Sequence, residues 1–310
     1  MKDDKKTTYN EAFVFVKSFI TPEESEIDRT TAKGFIQDLV ISVQRVDISG
    51  LGAQLAYFFL LSFFPLLIFL VTLLPYLNLR QEQVFLFLED VMPTEVYFFI
   101  EGTLIDVLSN QNGGLLSIGI LGTIWSASKG VNALIRALNQ AYDVNERSGL
   151  MTRAWSLIFT ISLVLIILIA LLFPVFGKQI SDLIFSYIGI EKSFESVWTM
   201  IRWLIPPALI FIVLMAMYWV VPNTDPRLPF FSVIPGAIFT TASWIFLTYI
   251  FSYYISNFGN FSSTYGSIGG VIILMLWLYF TGILIIFGGL LNASFQKLQI
   301  ARMNKSAPNK

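Results

Sequence analysis

Residues 228–296 read LPFFSVIPGAIFTTASWIFLTYIFSYYISNFGNFSSTYGSIGGVIILMLWLYFTGILIIFGGLLNASFQ, from Leu228 to Gln296, without one charged side chain. A charge at the bilayer centre costs about 2.5–3.5 kcal/mol on an insertion scale, so a long uncharged window is a membrane signal. About 20 apolar residues cross the hydrocarbon, so this run is too long for one helix. Its polar middle, NFGNFSSTYGS from Asn257 to Ser267, divides it into two spans at roughly 233–256 and 267–292.

Four further windows carry no charge: Ile48–Leu79, Val107–Ser128, Ala154–Gly177 and Trp203–Thr224. They place spans at roughly 50–77, 114–138, 154–176 and 203–222. The predicted fold is an all-α integral membrane protein, a bundle of six transmembrane helices. A polar segment, 1–33, precedes the membrane domain at 34–296, and a basic tail, 297–310, follows it.

Composition agrees. Of 310 residues, 55% are hydrophobic and only 13% charged, with a net charge of −1, against about 25% charged in soluble domains. A disordered chain and a basic nucleic-acid binder are excluded. There is no Cys and no His. Disulfides, thiol nucleophiles, imidazole proton shuttles and thiolate or imidazole metal ligands are therefore closed to this chain. No metal site, no cofactor and no phosphate-binding P-loop is read.

Lys and Arg set the orientation. Only Arg80, Lys178, Lys192 and Arg202 fall on one side of the six spans; the other sixteen of the 20 fall on the opposite side. Both termini are expected in the cytoplasm. Phe35, Ile36, Leu39, Val40 and Val43 recur at helical spacing over Lys33–Val46, with Gln37, Asp38 and Gln44 opposite. This predicts a juxtamembrane amphipathic helix. The connection from Asn78 to Gly113 holds Glu82, Glu89, Asp90, Glu95, Glu101 and Asp106 against Arg80 alone. It predicts short external amphipathic helices with a solvated acidic face, or a vestibule that selects by charge.

The second span ends WSASKGVNALIRALNQAYD, Trp125 to Asp143. At 100° per residue, Trp125, Lys129, Asn132, Arg136, Asn139, Gln140 and Asp143 share one stripe. Cations at membrane depth face a bundle interior or a watery cavity. One reading is a groove for an anionic headgroup, with Arg136 as a bidentate fork and Lys129 as a point charge. The other is a protruding helix whose charges snorkel to water.

Tyr57 and Ser62 are the polar points of the first span. Asn257, Asn260 and Tyr265 lie in the polar external segment and would complete a pathway. Pro65, Pro206, Pro207, Gly266 and Gly270 are candidate bends or gates. A Ser–Lys dyad carries no hydrolysis here, since Ser128 is adjacent to Lys129 and does not face it, and the Ser126–Lys129 spacing alone is very common. Carboxylates at membrane depth are missing for two-acid hydrolysis.

These residues resemble the YihY / virulence factor BrkB family of bacterial inner-membrane proteins. The resemblance rests on Ala53, Ala56, Tyr57, Ser62 and Pro65, then Trp125, Ser126, Ser128, Gly130, Leu138, Asn139 and Tyr142. It continues in Val221-Pro222-Asn223, Pro235-Gly236-Ala237, SNFGNFSSTYGSIGG (Ser256–Gly270), Trp277-Leu278-Tyr279 and Gly288 through Asn292. It implies six spans and cell-envelope functions, with lipid or lipid-linked transport among them. Leu290 stands where the family often has an acidic residue, so proton coupling through a carboxylate there is not open to this chain. The family once carried a ribonuclease label; without His or a basic stacking surface, the residues argue against it.

The expected function is a transporter or flippase of an anionic or amphipathic, lipid-like envelope molecule, passive or ion-coupled. Its partners would be the bilayer and an anionic lipid or lipid-linked substrate, with no nucleic acid. The alternative is a non-catalytic envelope assembly partner. No enzymatic role is expected.

Overall fold

The computed structural model describes residues 27–73, 97, 101, 113–145, 148–166, 168, 194–224, 227–258 and 268–306. Among them there is no strand. The helices traced among the described residues are, in order, α1 Ala32–Val46, α2 Ile48–Leu73, α3 Gly113–Ala141, α4 Gly149–Ile166, α5 Phe194–Val220, α6 Ile234–Phe258 and α7 Ile268–Ser306. A 3-10 turn, Phe230–Val233, leads into α6.

Among the described residues, α4, Phe230–Tyr254 and Gly269–Ser306 are long and apolar enough to cross a membrane. The bent pair Ala32–Val46 and Ile48–Phe63 makes a fourth if counted as one span. The external segments expected to be amphipathic lie almost wholly outside the described residues, as does the polar loop 259–267.

The bend between α1 and α2 is 54° and has a local cause. Thr31 caps α1, its hydroxyl accepting from the Gly34 N–H at 3.0 Å. Asp47 ends α1 with φ 47°, a left-handed conformation that short polar side chains tolerate. Its carboxylate then accepts from the Gly50 N–H at 3.2 Å and caps α2. Asp47→Ala loses the cap and keeps the unfavourable backbone. It should destabilise by about 1–2 kcal/mol, read as earlier thermal unfolding in detergent, with Asp47→Asn close to wild type. An unshifted Asp47→Ala curve would refute the cap.

Among the described residues, α2 and α3 pack along much of their length. The contact is close because α3 presents Gly119, Gly122 and Gly130 to it. A methyl group on Gly119 would stand 3.0 Å from the Pro65 carbonyl oxygen, and one on Gly122 would stand 3.2 Å from the Pro65 ring. Pro65 thus packs into a glycine groove.

α1 buries Gly34, Asp38, Ser42 and Val46, a stripe spaced by four. Asp38, expected on the polar solvent side, is instead buried against α7. It accepts from Arg29 Nε at 3.0 Å and Ser294 Oγ at 2.8 Å, and pairs with Lys297 Nζ at 3.4 Å. Burying a carboxylate is tolerable only with such compensation. Arg302 Nε also donates to the Thr30 carbonyl at 3.1 Å. Beside it, the Thr30 hydroxyl and N–H hold the Asp28 carboxyl below its ordinary range. These contacts explain why α7 runs on to Ser306 rather than stopping near 292, where the apolar pattern ends.

The α6–α7 crossing lies at the centre. Tyr218 and Asn292 are fully buried there. The Tyr218 hydroxyl donates to the Ile285 carbonyl at 2.6 Å and lies 3.0 Å from Thr240 Oγ1. Asn292 accepts from the Gly236 N–H at 2.7 Å and donates to the Val233 carbonyl at 3.0 Å. It therefore caps the start of α6 from another helix.

Candidate functional site

α3 ends in a tight turn that shapes its surroundings. Asp143 is left-handed, with φ 55°. The Val144 N–H reaches the Asn139 carbonyl at 3.0 Å, and the Asp143 N–H reaches the Gln140 carbonyl at 3.2 Å. This is a Schellman closure, with Asp where Gly is usual. It turns Val144 and Asn145 back beside the end of the helix.

Beside this turn is a cavity of about 560 Å³. Its polar wall is Arg45, Arg136, Asn139, Gln140, Asp143 and Asn145, with Leu51, Ala137 and Val144 completing it. Two guanidiniums face one carboxylate, so the wall is net cationic. Arg136 is exposed and braced from within its own helix, Nη1 donating to Asn132 Oδ1 at 2.7 Å. Gln140 Nε2 donates to the Arg45 carbonyl at 3.1 Å and ties the α1 end to α3.

Asn139 is 1% exposed. Its Oδ1 accepts from the Asn223 N–H at 3.0 Å, which fixes the amide's orientation. Its Nδ2 is buried without a hydrogen-bond partner among the described residues. Leaving a buried donor unpaired costs about 1–3 kcal/mol, so such a group calls for a partner. Asn223 Nδ2 in turn donates to the Asn145 carbonyl at 3.1 Å, closing the α5–α6 connection onto the turn.

The predicted stripe is thus divided. Arg136 and Asn139 line the cavity, and Asn132 braces Arg136. Lys129 does not line it: its Nζ lies 5.4 Å from the centre of the Trp125 ring. Tyr57 is exposed, and Ser62 is buried and donates to the Phe59 carbonyl at 2.9 Å; neither lines the cavity. Pro206 and Pro207 sit half-buried inside α5, and Gly270 in the first turn of α7. Asn260, Tyr265 and Gly266 lie outside the described residues, as does the side chain of Asn257. Arg45, Asn145 and Asn223 were not singled out by sequence reasoning. The signal available for Asn223 was its place in the Val221-Pro222-Asn223 block.

The family model for Virulence factor BrkB matches residues 40–310. The chain belongs to the Virulence factor BrkB family. A BrkB relative named as ribonuclease-like, YfkH of Bacillus subtilis (strain 168), is 49% identical over 79% of this chain and 89% of its own length. A UPF0761 membrane protein of Tolumonas auensis is 26% identical over 81% of this chain and 82% of its own. Another, from Psychrobacter sp. (strain PRwf-1), is 25% identical over 82% of this chain but only 47% of its own length. No solved structure matches. This member of the family is an integral membrane protein. Among its described residues, no group of three or more His, Cys, Asp or Glu could hold a metal ion.

Proposed function

We propose that this chain carries an anionic or amphipathic, lipid-like envelope molecule across the bacterial inner membrane. The supporting observation is the cavity at the end of α3, where Arg45 and Arg136 flank Asn139, whose buried Nδ2 has no partner among the described residues. A guanidinium binds a phosphate or carboxylate in two parallel hydrogen bonds. Asn139 would supply a further donor, and Gln140 and Asn145 a polar surface for the rest of the headgroup. The five uncharged windows, one of them long enough for two helices, and the Lys/Arg bias support six spans with both termini in the cytoplasm; on that reading this cavity would open to the cytoplasmic side. With no nucleotide motif in the sequence, movement would be passive or ion-coupled. The ribonuclease-like name of YfkH is not carried over: the chain has no His, and among the described residues no carboxylate cluster could hold a metal ion.

The test is bilayer crossing of fluorescent anionic and zwitterionic lipids in liposomes holding the purified protein, with empty liposomes as control. Replacing Arg45 and Arg136 together by Gln should slow anionic-lipid crossing about tenfold or more, given what charge-assisted contacts contribute. Both side chains are at the surface of the bundle, so the fold should survive. Unchanged crossing in the double variant would remove the cavity from the mechanism. No protein-dependent crossing of any lipid would favour an envelope assembly partner instead.

A further inference from the structure

We infer that Trp125, Lys129 and Arg153 form a binding site for the headgroup of one acidic phospholipid, on the outer surface of the α3–α4 pair. Trp125 is 61% exposed. Lys129 Nζ lies 5.4 Å and Arg153 Cζ 5.1 Å from the centre of its ring. One indole thus draws two cations, one from its own helix and one from the neighbouring helix. The ring's quadrupole attracts each cation but neutralises neither. A phosphodiester placed between them would neutralise both.

The surroundings identify the occupant as a lipid rather than free phosphate. Leu121, Trp125 and Lys129 follow one another on successive turns of α3, and Leu121 is 67% exposed. On α4, Ile161 is 44% exposed about two turns beyond Arg153. An apolar surface therefore leads up to an aromatic ring and then to two positive charges. That order matches acyl chain, interface and anionic headgroup. The uncharged window ending at Ser128 places Lys129 at the same boundary. This site does not rest on the transport reading, because neither cation lines the cavity beside Asn139.

The experiment is native mass spectrometry of the detergent-purified full chain titrated with phosphatidylglycerol or phosphatidylcholine, with glycerol 3-phosphate as a chain-free probe. Wild type should retain phosphatidylglycerol in preference to phosphatidylcholine. Lys129→Gln with Arg153→Gln should weaken that retention roughly ten- to thirtyfold, the effect of two interfacial cations, and leave phosphatidylcholine unchanged. The charge-preserving pair Lys129→Arg with Arg153→Lys should bind like wild type and serves as the folding control. Equal retention by wild type and the Gln pair would overturn the site. So would failure of the charge-preserving pair, or glycerol 3-phosphate binding as tightly as the whole lipid.

Discussion

Gly288→Val is expected to leave little folded protein, and Gly288→Ala to unfold well below wild type. A Cβ at Gly288 would collide with Thr240 Oγ1 and stand 2.8 Å from the Tyr218 hydroxyl. Neither neighbour can step aside cheaply. Tyr218 is fully buried and holds the Ile285 carbonyl, and Thr240 is buried beside it. Overpacking alone costs about 1–3 kcal/mol. Displacing the two hydroxyls adds about 1 kcal/mol for each bond lost. The total, about 3–5 kcal/mol, is a large share of the 5–15 kcal/mol typical of a whole fold.

The same crossing makes Gly236 equally intolerant, because a methyl there would run into the Gly288 carbonyl and Asn292 Nδ2. The contrast is Gly114, near the start of α3, where an added Cβ meets nothing within 4 Å. Gly114→Ala should be neutral or stabilising by up to about 1 kcal/mol, as for an exposed helix position. Thermal unfolding in detergent, compared across the three variants, gives the ordering. If Gly288→Ala unfolded with Gly114→Ala, the crossing would not be the tight point of the bundle.

The positions of the helices were legible because an uncharged window and a helical span obey the same constraint. The windows at 48–79, 203–224 and 228–296 each overlap a described helix, with α5 starting before its window and α7 ending beyond its own, and α3 begins at Gly113, beside the expected 114. Ends were less legible. The apolar pattern of α7 fades near 292, but nothing between there and Pro308 breaks a helix, and Asp38 and Thr30 hold the extension. Asp47 reads as an ordinary polar residue until its left-handed backbone is seen.

The site was legible only where its contacts were local. Arg136 and Asn132 are four apart on one helix, and their bond follows from that spacing. Asn139 and Asn223 are 84 apart, and no periodicity joins them. Yet the blocks that carried the family resemblance meet in space. Asn139 touches the Val221-Pro222-Asn223 block, and Asn292 touches the Pro235-Gly236-Ala237 block. Those blocks are thus partly explained as reciprocal caps between helices. Leu290, at the departure from the family pattern, is fully buried in the apolar core. A carboxylate there would have to be paired to be tolerated.

Asp38→Ala is the second large effect. The carboxylate is 3% exposed and is the common partner of Arg29, Ser294 and Lys297. Removing one partner of a buried ion pair costs about 3–5 kcal/mol when the other charge stays buried. Here the Arg29 and Lys297 side chains keep 34% and 24% exposure, so they can rehydrate and the cost should fall to about 2 kcal/mol. The loss is also local. The start of α1 is held to α7 through this carboxylate, while its far end is tied to α3 by Gln140 and to α2 by a bent junction, so the start of α1 should loosen before the bundle unfolds. Trypsin cleavage after Lys33 should accelerate severalfold while the rest of the membrane domain stays protected. Asp38→Asn keeps an acceptor for Ser294 and should fall between the two. Wild-type cleavage kinetics in Asp38→Ala would mean that the apolar contacts of α1, not the buried carboxylate, hold it to the end of α7.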